Sequence, residues 1–113
     1  MSENCLFCKI IRGEIPCDKL YEDEEVLAFR DIAPQAPMHV LIIPKKHMVG
    51  PEAVEEGDQR LIGKLMRVAN EIANKEGQPN YRLVCNNGAG AGQTVFHLHM
   101  HIIGGRHLGW PPG

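Results

Sequence analysis

Residues 95–105 read VFHLHMHIIGG, and along this stretch apolar residues alternate with histidines. Three of the chain's six histidines sit here, at His97, His99 and His101, with Phe96, Leu98, Met100 and Ile102 between and around them. A period of two belongs to a β-strand, in which residues two apart share a side and lie about 6.6 Å from one another. The pattern predicts a strand whose apolar face, carrying Phe96, Leu98, Met100 and Ile102, packs under a helix. Its imidazole face then meets a cleft, a ligand or water. Such a strand needs a sheet around it.

The rest of the sequence supplies both sheet and helix. FCKIIRGEIP predicts a short helix stopped by Gly13, and Pro16 opens an extended piece. The acidic YEDEE leads into a strand at about residues 26–29, and the apolar run 40–43 is a strand framed by Pro37 and Pro44. From about residue 51 to 75, Leu61, Leu65, Val68 and Ile72 recur at steps of four and three, a helix with Gly77 as its stop. YRLVCN reads as another short strand, joined to the histidine strand by the glycine-rich NNGAGAG. The expected fold is α+β, an antiparallel sheet of about five strands with one long helix on one face and a short N-terminal helix. With 113 residues and no repeat or linker, residues 1–113 read as one domain.

Composition narrows the function. A formal charge of −2 gives no general attraction to nucleic acid or to an anionic membrane, and neither is an expected partner. An anionic ligand must therefore be held by local geometry. MSENCLFCKII has no basic start followed by an apolar run, and no stretch approaches the roughly 18 apolar residues of a membrane span. The expectation is a cytoplasmic protein, whose four cysteines serve as thiols or metal ligands before they serve as disulfides.

Three readings compete for the imidazole face. It can be a polar strand face, although solvent faces normally recruit Lys, Glu and Thr. It can bind a metal, but three ligands in a row spread over about 13 Å, so at most two reach one ion at the 2.0–2.1 Å of a Zn–N bond. It can supply a nucleophile, since a neutral imidazole attacks phosphorus when one nitrogen is bare and the other donates to an acceptor. His99, with a neighbour on each side, is the best placed. Upstream, NNGAGAGQTV offers backbone N–H groups on flexible glycines, with Gln93 and Thr94 as side-chain donors, which suits a phosphate.

HLHMHII, together with KIIRGEIP, LAFRDIAPQAPMHVLIIPKKH, NNGAGAGQTVFHLHMHIIGGR and the terminal WPPG, resembles the histidine triad (HIT) family over almost the whole chain. The likeness is strongest to its Hint branch, the purine nucleoside phosphoramidases. The resemblance implies a HIT-like fold and a hydrolase that cleaves the P–N bond of purine nucleoside 5′-phosphoramidates. It implies His99 as nucleophile, His101 on the phosphate and the leaving amine, and His97 acting through its backbone carbonyl. His39 matches a further histidine of the cluster, as readily structural as catalytic. Asn86, Gln93, Thr94 and the Val95 N–H match phosphate contacts, with Thr94 where relatives often carry Ser. Asp31 matches the acceptor of both ribose hydroxyls, and Phe7, Ile10, Phe29, Ile32 and Leu41 match the purine pocket. The resemblance also implies a homodimer, with the segment around Trp110 near the partner's active site. Two other functions stay open: a nucleotide-binding regulatory module, and a dinucleoside polyphosphate hydrolase.

The Cys-x-x-Cys at Cys5 and Cys8 holds two of the four ligands of a structural zinc. Some bacterial members of the family complete such a site with the histidine of the PKKH segment and the first triad histidine, here His47 and His97. Two thiols without metal are the other reading, and catalysis by the implied route needs no cofactor.

Overall fold

The computed structural model describes residues 4–113; the first three residues of the segment read for a secretory leader lie outside them. Five antiparallel strands form one sheet: β1 (Lys19–Glu22), β2 (Val26–Arg30), β3 (Met38–Pro44), β4 (Tyr81–Val84) and β5 (Met100–Gly104), in the order β1-β2-β3-β5-β4. The long helix α2 (Gln59–Lys75) lies between β3 and β4 in sequence, and the short helix α1 (Leu6–Ile11) precedes β1. This is the α+β fold that the patterning implies. No helix among the described residues is long and apolar enough to cross a membrane.

The sheet is buried on both faces where β2 and β3 run, and their alternation sorts residues to two cores. Val26, Ala28, Met38, Val40 and Ile42 join Leu98, Met100 and Ile102 under the α2 residues Leu61, Leu65, Val68, Ala69, Ile72 and Ala73. Leu27, Phe29, Leu41 and Ile43 turn the other way and meet Phe7 of α1. The second face is therefore the one that β5 shares with His101, opposite Leu41 in the ladder. Lys64 of α2 bonds Asp23 at 2.7 Å and Glu25 at 3.0 Å, which ties the helix to the turn between β1 and β2.

Two expectations need correction. The histidine strand is shorter than its alternation suggests: β5 begins at Met100, so only His101 of the three lies in a ladder. The cause is in the partner strand. The β3–β5 register ends at Ile42 opposite Met100, and two residues on stands Pro44, which has no N–H to donate. The Leu98 N–H instead bonds the Met48 carbonyl at 2.6 Å. His97, His99 and His101 keep to the Phe7 side, with His97 and His99 buried there, and Leu98, Met100 and Ile102 keep to the helix side. Without a ladder to enforce the pleat, however, Phe96 leaves the apolar side. It is 48% exposed and lines a cavity of about 550 Å³ with Leu6, Val49, Thr94 and Val95. The long helix likewise starts at Gln59 and not near Pro51. Residues Pro51–Ala53 and Glu56–Asp58 form single 3₁₀ turns, and the Asp58 carboxylate accepts the Glu55 N–H at 3.0 Å, closing a capping box before the helix begins.

Candidate functional site

His99 is the centre of the arrangement. It stands just before β5, buried to 6% exposure, and its Nδ1–H donates to the His97 carbonyl at 2.8 Å. A carbonyl can only accept, so the ring hydrogen sits on Nδ1 and Nε2 keeps its lone pair. The Phe7 ring packs edge-on against it with centroids 5.1 Å apart, and the His101 ring also lies 5.1 Å away.

His39 on β3 and His101 on β5 are diagonal neighbours: His39 faces Ile103 and His101 faces Leu41. The Gln35 N–H donates to His39 Nδ1 at 2.9 Å, which places the His39 hydrogen on Nε2. That Nε2 lies 2.9 Å from His101 Nδ1 and 3.4 Å from Asp31 Oδ2. His101 Nδ1 therefore accepts, and its own hydrogen is on Nε2. Burial first, then the neighbouring His99 and His39, push the His101 pKa down to about 4, against a smaller upward pull from Asp31. Free of ligand, His101 is neutral near pH 7.

The glycine-rich turn lies between β4 and the run that carries His97 and His99. A 3₁₀ turn, Ala89–Ala91, is flanked by Gly88 at φ +90° and Gly92 at φ +98°, backbone that other residues adopt at a cost. Gln93 is buried, its Oε1 accepting the Gly88 N–H at 2.8 Å and its Nε2 donating to the Val49 and Val95 carbonyls at 2.7 and 3.1 Å. With both amide N–H groups bonded to backbone carbonyls and its oxygen accepting from Gly88, Gln93 braces the turn and has no side-chain N–H left to donate to a ligand. Asn86 lies against Gly92, Thr94 is exposed and Val95 is half-buried. Phe7, Phe29 and Leu41 gather in one apolar cluster, with Ile10 and Val95 packed against it. Ile32 is fully exposed on the 31–37 loop, outside that cluster. Asp31 opens the same loop, its Oδ1 accepting the Ala33 N–H at 2.8 Å.

On the other side of His99, Cys5, Cys8, His47 and His97 bring four ligand atoms within 4.8 Å of one another. His97 Nδ1 is 3.3 Å from Cys5 Sγ, 3.6 Å from Cys8 Sγ and 3.1 Å from His47 Nδ1, and Cys8 Sγ is 3.4 Å from His47 Nδ1. Bonds of about 2.0–2.3 Å to a tetrahedral zinc put neighbouring ligands roughly 3.3–3.8 Å apart. The set fits in size and in donor chemistry. The tautomer fits as well: His97 Nε2–H donates to the Pro44 carbonyl at 2.8 Å, leaving Nδ1 bare toward the thiols. Burial pushes the His97 pKa down to about 4, partly offset by that carbonyl, and keeps the ring neutral as a ligand must be. No disulfide joins Cys5, Cys8, Cys17 or Cys85.

Two groups that orient the rings escape sequence reasoning, the Gln35 N–H and the Pro44 carbonyl. Both are backbone atoms, and residue type carries no signal for them.

Comparison with known proteins agrees with this geometry. A family model described as HIT domain matches residues 12–108. An uncharacterized HIT-like protein of Synechocystis sp. is 54% identical over 114 residues, with both chains covered completely. A HIT family hydrolase from Legionella pneumophila superposes with a TM-score of 0.95 at 51% identity, covering 97% of this chain and all of that one. One from Clostridium thermocellum gives 0.94 at 47%, covering 96% of each chain. A histidine triad on this sheet, matched along nearly the whole sequence, makes the chain a member of the HIT domain family.

Proposed function

We propose that the protein is a purine nucleoside phosphoramidase, a cytoplasmic hydrolase releasing nucleoside monophosphate through a nucleotidyl-histidine intermediate. The observation that carries this reading is the His99 Nδ1–H bond to the His97 carbonyl, which leaves Nε2 as a buried, bare nucleophile. Nε2 attacks phosphorus and the P–N bond breaks, with the proton that the departing amine needs delivered through His101 Nε2. A bound anionic phosphate favours the protonated His101 ring, so the substrate itself helps to charge the acid. Water then cleaves the bond between phosphorus and Nε2, its proton returning to His101. Glycine N–H groups of the 88–92 turn and the Val95 N–H, with Thr94 and Asn86, take the phosphate oxygens. Asp31 accepts from the ribose hydroxyls, and Phe7, Ile10, Phe29 and Leu41 hold the base, with Ile32 closing over it from the loop. Breaking this bond asks for protonation of nitrogen more than for a Lewis acid.

The names of the structural neighbours, HIT family hydrolases, support hydrolysis as the reaction class. Cys5, Cys8, His47 and His97 would hold a structural zinc, which when bound cross-links α1 to the loop before β5. A homodimer completes the reading on the family likeness.

Turnover of adenosine 5′-phosphoramidate, compared with that of a diadenosine polyphosphate, tests the assignment. Preference for the phosphoramidate supports it. Preference for the polyphosphate, or tight nucleotide binding with turnover of neither, replaces it with one of the two other functions.

A further inference from the structure

The 31–37 loop joins β2 to β3 at the edge of the site. It carries Pro34 and Pro37, which donate nothing to a ladder, and most of its residues are exposed. Yet its Gln35 N–H, 2.9 Å from His39 Nδ1, sets which nitrogen of His39 holds the hydrogen. Through the 2.9 Å contact between His39 Nε2 and His101 Nδ1 it sets the same for His101. One backbone group on an exposed loop thus decides two tautomers.

The loop is held from outside the site. Arg106 Nε donates to the Gln35 carbonyl at 3.1 Å, on the far side of the residue whose N–H faces His39. Arg106 arrives there because β5 ends at Gly104 and Gly105 follows it. At Gly105, φ is +91° and a Cβ would stand 2.8 Å from Pro37 Cβ, so the turn closes onto the loop only with glycine. At Gly104 a Cβ would stand 3.0 Å from the Asn80 carbonyl oxygen. Within the loop, Gln35 Nε2 bonds the Ala33 carbonyl at 3.0 Å and Ala33 N bonds Asp31 Oδ1 at 2.8 Å, so the hold extends to the carboxylate.

We propose that Arg106 is a positioning residue: by holding the Gln35 carbonyl it keeps the Gln35 N–H on His39 and, through His39, presents His101 with its hydrogen on Nε2. The Arg106 side chain bonds the Gln35 and His107 carbonyls, not the His39 or His101 rings, and acts through the loop. The kinetic side of this rests on the phosphoramidase reading; the tautomer side does not.

The test is an NMR measurement of histidine ring nitrogens in ligand-free protein, run beside steady-state kinetics. Wild type is expected to show His39 and His101 each protonated at Nε2 and bare at Nδ1. Arg106→Ala is expected to mix the tautomers of both rings and to lower kcat by about tenfold to a hundredfold with KM little changed. Arg106→Lys, which keeps a cationic donor, recovers most of both signals. Wild-type ring-nitrogen signals and kcat in Arg106→Ala would overturn the proposal. If wild type turns over no phosphoramidate, the functional reading fails alone, and the ring-nitrogen shifts still decide the role of Arg106.

Discussion

At the scale of the residue, the chemistry rests on which ring nitrogen carries a hydrogen. The His97 carbonyl assigns it for His99, so removing the ring should remove turnover and leave binding. His99→Ala or His99→Asn is expected to reduce turnover to background while nucleoside monophosphate still binds by calorimetry. Retained hydrolysis in purified His99→Ala would end the nucleophile assignment. His101 gives a pH dependence of known sign. Its pKa falls from an ordinary 6.5 in the unfolded chain to about 4 in the fold, so the unfolded chain binds more protons between those values. Its stabilising contribution is present above pH 6.5 and is lost as pH falls through 4. The Tm should therefore drop across that window, and His101→Asn should flatten the drop in a calorimetric scan series. Residue identity revealed His97, His99 and His101 in the sequence because imidazoles on alternate positions are rare. It hid the atoms that orient them, since the Gln35 N–H and the Pro44 carbonyl look like any other backbone. Gln93 shows the converse: its amide suggests a ligand donor in the sequence, but a buried amide must satisfy itself, and the turn is where it does so.

At the scale of the element, alternation was readable wherever a ladder enforces it. Met100 and Ile102 follow the pattern because β3 pairs with them; Phe96 does not, because the ladder ended at Met100. The start of α2 departs from the periodic pattern for a similar reason. Periodicity locates the apolar stripe of a helix, whereas the residues just before it are held in a 3₁₀ turn, where the Asp58 carboxylate accepts from the Glu55 N–H and from Lys46. Ile102, fully buried between α2 and the sheet, is the element-scale probe. Ile102→Ala should cost about 2–4 kcal/mol in denaturant unfolding with unchanged far-ultraviolet dichroism. A loss below about 1 kcal/mol would mean that the helix and sheet are not packed as described.

At the scale of the molecule, α1 with its cap Cys5, the loop after β3 and the run before β5 come together around Cys5, Cys8, His47 and His97. Protein purified without chelator is expected to hold about one zinc per chain. Cys8→Ser or chelation should remove it and lower the Tm by roughly 5–10 °C. Substoichiometric zinc that is indifferent to Cys5→Ser would end that assignment. The general fold was legible in the sequence, because strand and helix periods are local; the meeting of four ligands from separate segments was not, and the family likeness supplied it. All of these parts serve one claim, that His99 Nε2 becomes bonded to phosphorus. Mass spectrometry of peptides from an alkali-quenched reaction with adenosine 5′-phosphoramidate measures it most directly. An adenylyl group on the peptide that holds His99, absent from His99→Ala, is the predicted result; steady turnover with an unmodified peptide, or an adduct on another residue, would contradict it.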